Sequence, residues 1–122
     1  MSPASPQTDR SPADVITAEV TSWPGVEVGP GRFGAVQFRL GRRELGHLHG
    51  DRLADLPFPR RLRDELVAAG TVVPHRPLPD SGWASRPIHG EEDVRAVIGL
   101  LRMQYERAVA ARERREGGSR EA

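Results

Sequence analysis

The stretch that decides the fold is Ala35-Val36-Gln37-Phe38-Arg39-Leu40, followed by Gly41-Arg42-Arg43 and Glu44-Leu45-Gly46-His47-Leu48-His49-Gly50. In the first segment apolar and polar residues alternate, which is typical of a strand with one buried face. The connection is short enough for a tight turn, so the second segment is expected to return as an antiparallel strand. The sequence therefore predicts a β-meander at the centre of the chain, joined by a short strand at Val26-Glu27-Val28.

Polar side chains follow the end of this hairpin at every second position, as His47, His49 and Asp51. Side chains two residues apart in a strand point to the same face, and their Cα atoms lie about 6.5–7 Å apart. Both imidazoles and the carboxylate are therefore predicted to converge on one small ligand, one water or one metal. Leu45 has the same parity, so this face is expected to be partly covered, whereas Gly46 on the other face permits close approach of another element.

Helical patterns flank the meander. Ser11-Pro12-Ala13-Asp14 is a helix start, with a capping hydroxyl and a proline in the first turn. A second helix is expected from Arg60 to Ala69, and the longest helical pattern opens at Glu91. Its apolar positions follow one face at helical spacing: Val94, Val97, Ile98, Leu101, Tyr105 and Ala108.

A further strand is predicted at Trp83-Ala84-Ser85-Arg86-Pro87-Ile88, so the element order is α-β-β-β-α-β-α. This order predicts an α+β fold, a small and mostly antiparallel sheet with helices packed on one face. We expect residues 1–10 to be a disordered tail and residues 11–110 to form the single domain. Residues 111–122 are expected to be a solvated helix end and tail, with the helix ending at Gly117-Gly118.

Composition limits the possible partners. The 122 residues carry a net charge of +1, so neither a nucleic acid nor a membrane surface is expected as a partner. There are no cysteines and no apolar run long enough for a membrane span, and a cytoplasmic location is the default expectation. All 18 basic residues are arginine, a composition typical of a bacterial genome rich in arginine, alanine and glycine codons, and this leaves no lysine for Schiff-base chemistry.

Three further residues are candidates for the wall of a pocket. His75 lies in the proline-rich connection Thr71–Gly82, which could cover the His/Asp face as a lid. Trp83 could form an aromatic wall, and Arg86 could bind an anionic substrate. Each also has a plain structural interpretation, as a loop histidine, a core tryptophan and a surface arginine. Asp80-Ser81-Gly82 is predicted to form a turn at the pocket mouth.

The His/Asp face itself leaves three interpretations open. In a metal-free pocket His47 or His49 would act as a general base, oriented by Asp51. The same residues could instead ligate Zn²⁺ or Fe²⁺, because His-x-His on a strand presents two imidazole nitrogens on one side. A third interpretation is a hydrogen-bonded strand end with no chemistry. A metal-free site is the first expectation, and zinc or iron is the alternative.

Several segments together resemble the small "luciferase domain" family of mostly uncharacterised bacterial and fungal proteins. They are Gly46-His47-Leu48-His49-Gly50-Asp51, Asp55-Leu56-Pro57-Phe58-Pro59, Pro74-His75-Arg76-Pro77-Leu78-Pro79-Asp80-Ser81-Gly82-Trp83 and the helix from Glu91 to Ala108. The family is named for a relationship to fungal luciferase, which oxygenates a polyketide-like pyrone. The resemblance implies binding or cofactor-free oxygenation of a small aromatic or polyketide-like molecule, and it carries no catalytic residues onto this chain.

A non-enzymatic interaction module is the alternative from a different class. It would use the final helix or an open sheet edge, and it requires an apolar patch on the outer side of that helix. Leu100 and Met103 are the residues that could form such a patch. The sequence leaves open whether the protein is an enzyme.

Overall fold

A computed structural model describes residues 10–77 and 81–121, with side chains up to residue 117. Its elements are α1 (Pro12–Thr21), β1 (Val26–Pro30), β2 (Val36–Leu40), β3 (Arg43–His49), β4 (Leu53–Pro57), α2 (Arg60–Ala68), β5 (Val73–Pro74), β6 (Trp83–Pro87) and α3 (Glu91–Glu121). The expected disorder of the N-terminal tail and the expected turn residue Asp80 concern residues 1–9 and 80, which lie outside the described residues. The α+β class is confirmed.

The six strands form one antiparallel sheet in the order β1-β2-β3-β4-β6-β5. The predicted order lacked two of these strands. β4 was missed because Leu53–Pro57 is short, mostly apolar and followed at once by a helix. β5 has only two residues, and one of them is Pro74. A proline is compatible with a strand at the edge of a sheet, and β5 lies at the edge.

A bulge in β3 changes which residues share a face. Phe38 lies opposite Gly46, but the next residue, Arg39, lies opposite Glu44, so Leu45 is the extra residue. Leu45 therefore points into the core, where it is fully buried, and the prediction that it shares the histidine face is wrong. The same shift brings Glu44 onto the face of His47.

Helices α1 and α3 pack against the face of the sheet opposite to the histidines. The core there combines sheet residues such as Phe38 and Leu48 with Val20 of α1 and Leu101 of α3. Gly46 permits the close approach that the sequence predicted, since a Cβ there would lie 3.0 Å from Leu101 Cδ2 and 3.0 Å from the carbonyl oxygen of Asp55. The face of the central strands that α1 and α3 do not cover is the one that carries the histidines.

The helix ends test the capping predictions. The hydroxyl of Ser11 accepts a hydrogen bond from the Asp14 amide at 3.1 Å, as expected for a cap at the start of α1. Helix α3 continues through Gly117 to Glu121, so the predicted end at Gly117-Gly118 is wrong. Two glycines lower helix propensity by about 1 kcal/mol each without forbidding helical dihedrals. No helix in the described part of the chain is both long and apolar enough to cross a bilayer.

Candidate functional site

Four polar residues lie directly opposite one another on adjacent strands. Gln37 of β2 faces His47 of β3, His47 faces Asp55 of β4, and Asp55 faces Ser85 of β6. We call these four residues the polar row. Cross-strand neighbours on one face have Cβ atoms about 4.5–5.5 Å apart, so their side chains can bond directly. The row runs across the centre of the sheet, on the face that α1 and α3 do not cover.

Asp55 is the centre of the row. It is 2% exposed, and its Oδ1 accepts a hydrogen bond of 2.6 Å from the Ser85 hydroxyl. Its Oδ2 lies 3.0 Å from Nε2 of His49 and 3.4 Å from Nε2 of His47. The Nε2 atom of His75 lies 3.3 Å from the same oxygen. Three imidazole nitrogens therefore surround one buried carboxylate oxygen.

Each histidine reaches this point from a different part of the structure. His47 and His49 project from the same face of β3, and their rings meet edge to face with centroids 4.8 Å apart. His75 follows the edge strand β5, where its amide donates a long 3.4 Å bond to the carbonyl oxygen of Trp83. The Nδ1 atom of His75 is buried and has no hydrogen-bond partner among the described residues.

A second carboxylate, that of Glu44, contacts the other ring nitrogen of His47. Oε2 of Glu44 lies 2.6 Å from Nδ1 of His47, while Oε1 of Glu44 accepts a 2.9 Å bond from the amide of Gln37. Since an ionised carboxylate only accepts, Nδ1 of His47 carries the proton in this pair. The bulge makes the contact possible, because without it a residue three positions before His47 would point to the other face.

The histidines His47, His49 and His75 together with Asp55 form the His/Asp cluster, and contacts within and around it shift the pKa values of His47 and Asp55. Hydrogen bonds to Asp55 and then Glu44 raise the pKa of His47 from 6.5 to about 9, although burial opposes this. Burial of Asp55 would by itself raise the pKa of its carboxyl group, but the bonds from His47 and Ser85 and the charges of His75 and His47 outweigh it and lower that pKa to about 2. In the metal-free protein at neutral pH, Asp55 is therefore an anion beside an imidazolium.

The cluster lies at the floor of an open cleft of about 1090 Å³. The Trp83 ring forms one wall, with its centroid 5.2 Å from that of His47 and 5.9 Å from that of His75. Apolar side chains continue the wall toward the mouth: Phe33, Leu53, Val73, Pro74, Pro77 and Pro87. The size suits a drug-sized organic molecule, since small-molecule sites are commonly 300–1,000 Å³.

The mouth of the cleft carries an unusual aromatic residue. Phe33 lies in a short 3-10 turn (Arg32–Gly34) between β1 and β2, its ring is 95% exposed, and its backbone φ is +57°. A bulky side chain in the left-handed region costs about 1–2 kcal/mol. The exposed ring stabilises nothing in the described structure that would offset this cost, which makes Phe33 a candidate ligand contact.

Two sequence-predicted site residues lie elsewhere. Asp51 is in the turn after β3, where its Oδ1 accepts a 2.9 Å bond from the amide of Ala13 in α1. The alternation of β3 ends at His49, so Asp51 does not share the histidine face, and Asp55 of the next strand stands where Asp51 was expected. Arg86 has the opposite parity to Trp83 and points away from the cleft, where it bonds to Asp93 and to the carbonyl oxygen of Thr71.

The other predicted residues, His47, His49, His75 and Trp83, are brought together around the cleft. Sequence reasoning missed Asp55 and the two groups that hold the cluster, Glu44 and Ser85. A signal for Asp55 was present, because its neighbours on both sides are apolar. A lone carboxylate at that position of a short strand points to the face opposite to the core.

The outer side of α3 does not provide the apolar patch that an interaction module would require. Leu100 is 3% exposed, and Met103 is partly buried against the core. Both therefore contribute to the domain itself.

The fold and site define a small α+β protein with a histidine–carboxylate cluster at the floor of an apolar cleft. The family model described as "Luciferase domain" matches residues 42–104, just over half of the chain. The chain therefore belongs to the luciferase-domain family, as its motifs suggested. The matched span contains the three clustered histidines, Asp55, Glu44 and Ser85. No curated protein and no solved structure matches the chain significantly.

Proposed function

We propose that this protein is an enzyme that binds a small, mainly apolar or aromatic organic molecule in the cleft and acts on it at the His/Asp cluster. The observation that carries the proposal is the position of the cluster at the floor of the cleft of about 1090 Å³, under an aromatic wall. Polar groups converging at the end of an apolar pocket are the usual arrangement of a small-molecule site. Membership of the luciferase-domain family makes oxygenation of an electron-rich ring the first reaction to test.

The cleft favours a flat ligand. Trp83 offers a ring face, and the exposed ring of Phe33 at the mouth can contact the opposite side of a bound molecule. Each aromatic contact of this kind contributes about 0.5–1.5 kcal/mol beyond the burial of apolar area. A ligand held between these rings would present its reactive edge to the imidazoles below.

Tryptophan fluorescence tests ligand binding directly. The chain has two tryptophans, and Trp23 lies in the core away from the cleft. In a Trp23→Phe variant, whose fold is checked by circular dichroism, Trp83 is the sole tryptophan and reports on the cleft. A panel of neutral and anionic aromatic compounds, including hydroxylated pyrones, is titrated in the presence of EDTA. We expect saturable changes of Trp83 emission with a subset of the panel.

Two variants connect the signal to the site. Phe33→Asn relieves the positive φ and removes the ring, so it should weaken binding severalfold without lowering the melting temperature. His89→Ala is the matched control, because His89 is exposed and lies outside the cleft. Oxygen uptake and product formation are then measured with each compound that binds. If no compound in the panel perturbs Trp83 in a folded protein, the small-molecule proposal fails.

A further inference from the structure

We propose that His47, His49, His75 and Asp55 bind one divalent transition-metal ion, Zn²⁺ or Fe²⁺, through three Nε2 atoms and the carboxylate Oδ2. The inference builds on the proposed function, because the ion would stand at the floor of the proposed substrate cleft. It replaces the ligand set expected from the sequence, since Asp55 takes the place of Asp51 and His75 is added.

The spacing of the ligand atoms fits a metal. Four ligands at 2.0–2.1 Å from a tetrahedral ion lie about 3.3–3.4 Å from one another. Oδ2 of Asp55 lies 3.0, 3.3 and 3.4 Å from Nε2 of His49, His75 and His47. One ligand atom from each of His47, His49 and Asp55 also lies within 4.8 Å of the other two. The three separations from Oδ2 to the nitrogens therefore already match those of a metal site, and His75 joins the group through its 3.3 Å distance to Oδ2.

Hydrogen bonding alone does not account for this arrangement. A carboxylate oxygen has about two lone-pair directions, yet three nitrogens surround Oδ2. A divalent metal between these atoms would accept a lone pair from Oδ2 and from all three Nε2 atoms at once.

The two carboxylates of the site favour a cation. Asp55 and Glu44 bring two negative charges to the floor of the cleft, and within the described residues neither carboxylate pairs with an arginine. A divalent ion bound through Oδ2 would bring two positive charges to this pair of carboxylates.

Outer hydrogen bonds hold the ligands as in known metal sites. Metal-bound histidines usually donate their other ring N–H to a carboxylate, which is the relation of His47 to Glu44. The Ser85 hydroxyl holds Oδ1 of Asp55, so Oδ2 remains free to ligate.

The donor set selects the class of ion. Three imidazoles and one carboxylate favour Zn²⁺, Fe²⁺ and similar borderline ions. The chain has no thiolate for soft ions, and an oxygen-only site of the kind that Mg²⁺ or Ca²⁺ prefers is not formed by these residues. All four ligands line the cleft, so a bound molecule could contact the ion directly.

Metal binding is tested on the full chain without a histidine tag. Protein as purified is analysed for zinc and iron, then stripped with chelator and titrated with Co²⁺ alone, whose visible absorption reports the ligand geometry. We expect one Co²⁺ per chain, a nitrogen/oxygen-ligated spectrum and displacement by Zn²⁺. Loss of an outer carboxylate commonly weakens a site about 10–100-fold, so Glu44→Gln should lower affinity by that factor and each ligand variant by at least as much.

The informative ligand variants are His75→Ala and Asp55→Asn, with His89→Ala as the matched control. His75 lies in a connection at the sheet edge, so its variant is expected to fold even if the buried Asp55→Asn does not; circular dichroism checks both. Unchanged Co²⁺ affinity and spectrum in folded His75→Ala would overturn the four-ligand site. Failure of the folded wild type to bind Co²⁺ or Zn²⁺ at one per chain would overturn the metal altogether.

The two proposals fail separately. Trp83 quenching by aromatic compounds in EDTA, together with no metal binding, would remove the metal and leave the small-molecule cleft. Stoichiometric metal with no ligand from the panel would support the metal centre and contradict the aromatic-ligand proposal.

Discussion

Raising the pH should destabilise the metal-free protein between about pH 6.5 and pH 9 because His47 loses its proton there. The pKa of His47 is raised from 6.5 to about 9 in the folded state by its bonds to Asp55 and Glu44. A group with a raised folded-state pKa stabilises the fold fully below its unfolded pKa, and this contribution disappears as the pH rises through the folded value. The stabilising contact is therefore complete at pH 6 and absent above about pH 9.5.

The magnitude follows from the two pKa values. Since each pH unit corresponds to about 1.4 kcal/mol, their separation sets an upper limit of about 3 kcal/mol. The side chain of His47 is 19% exposed, and solvent weakens the interaction, so we expect about 1–2 kcal/mol. For a domain of this length that loss lowers the melting temperature by several degrees, on the order of 3–10 °C.

The assay is urea unfolding of chelator-treated protein at pH 6.0, 7.5 and 9.0, at constant ionic strength. His47→Gln, which keeps a polar side chain of similar reach but does not titrate, is the matched comparison. Its unfolding free energy should change less with pH than that of the wild type, by the amount assigned to His47. Parallel curves for the two proteins across this range would refute the reasoning.

The remaining predictions concern the fold around the site. Gly46→Ala should cost about 1–3 kcal/mol, because the added methyl group lies 3.0 Å from Leu101 and from the β4 backbone. Gly99→Ala, in open space on α3, should be neutral or stabilise the fold by up to about 1 kcal/mol. Chemical denaturation distinguishes the two variants, and equal effects would contradict the packing argument. Asp51→Ala should cost about 1 kcal/mol through the lost bond to α1 and leave Co²⁺ binding unchanged, and a loss of metal would restore Asp51 to the site. Tyr105→Phe should lower stability by about 1–2 kcal/mol in thermal unfolding, because the carbonyl oxygen of Pro24 loses its donor, and an unchanged melting temperature would argue against that bond.

The fold class was accessible from the sequence because local patterns agree with the final packing. Alternation from Val36 to Leu40 and the apolar face of α3 were each long enough to indicate their elements, and the capping residues of α1 marked its start. The two missed strands are short, with five residues in β4 and two in β5, so neither carries enough alternation to indicate a strand. The pairing of β4 with β6 joins residues about thirty positions apart, which no local pattern predicts.

Only part of the site could be predicted from the sequence, mainly because of the bulge at Leu45. Strand parity predicts a face correctly only while the strand is regular. The bulge at Leu45 reverses the parity of every residue before it, which moves Leu45 into the core and Glu44 beside His47. His75 reaches Asp55 from a connection whose position depends on the edge strand β5. The sequence alone therefore left two interpretations of His75 open, a wall of the pocket or a plain loop histidine.

The energetic cost of the polar row argues that it serves a function. A carboxylate that is 2% exposed at the centre of a sheet loses most of its hydration, and paired charges in such places are often no more stabilising than well-packed apolar residues. Ala54 and Leu56 on either side of Asp55 anchor β4 in the core through apolar contacts. Yet Ser85 orients Asp55, three imidazoles surround its Oδ2 atom, and Glu44 fixes one of those imidazoles. Ser85→Ala separates the two roles of this arrangement. It should cost about 1–3 kcal/mol because Oδ1 of Asp55 loses its donor, and it should also weaken Co²⁺ binding, since the carboxylate is then free to rotate. A stability loss with unchanged metal affinity would mean that Ser85 serves the fold alone.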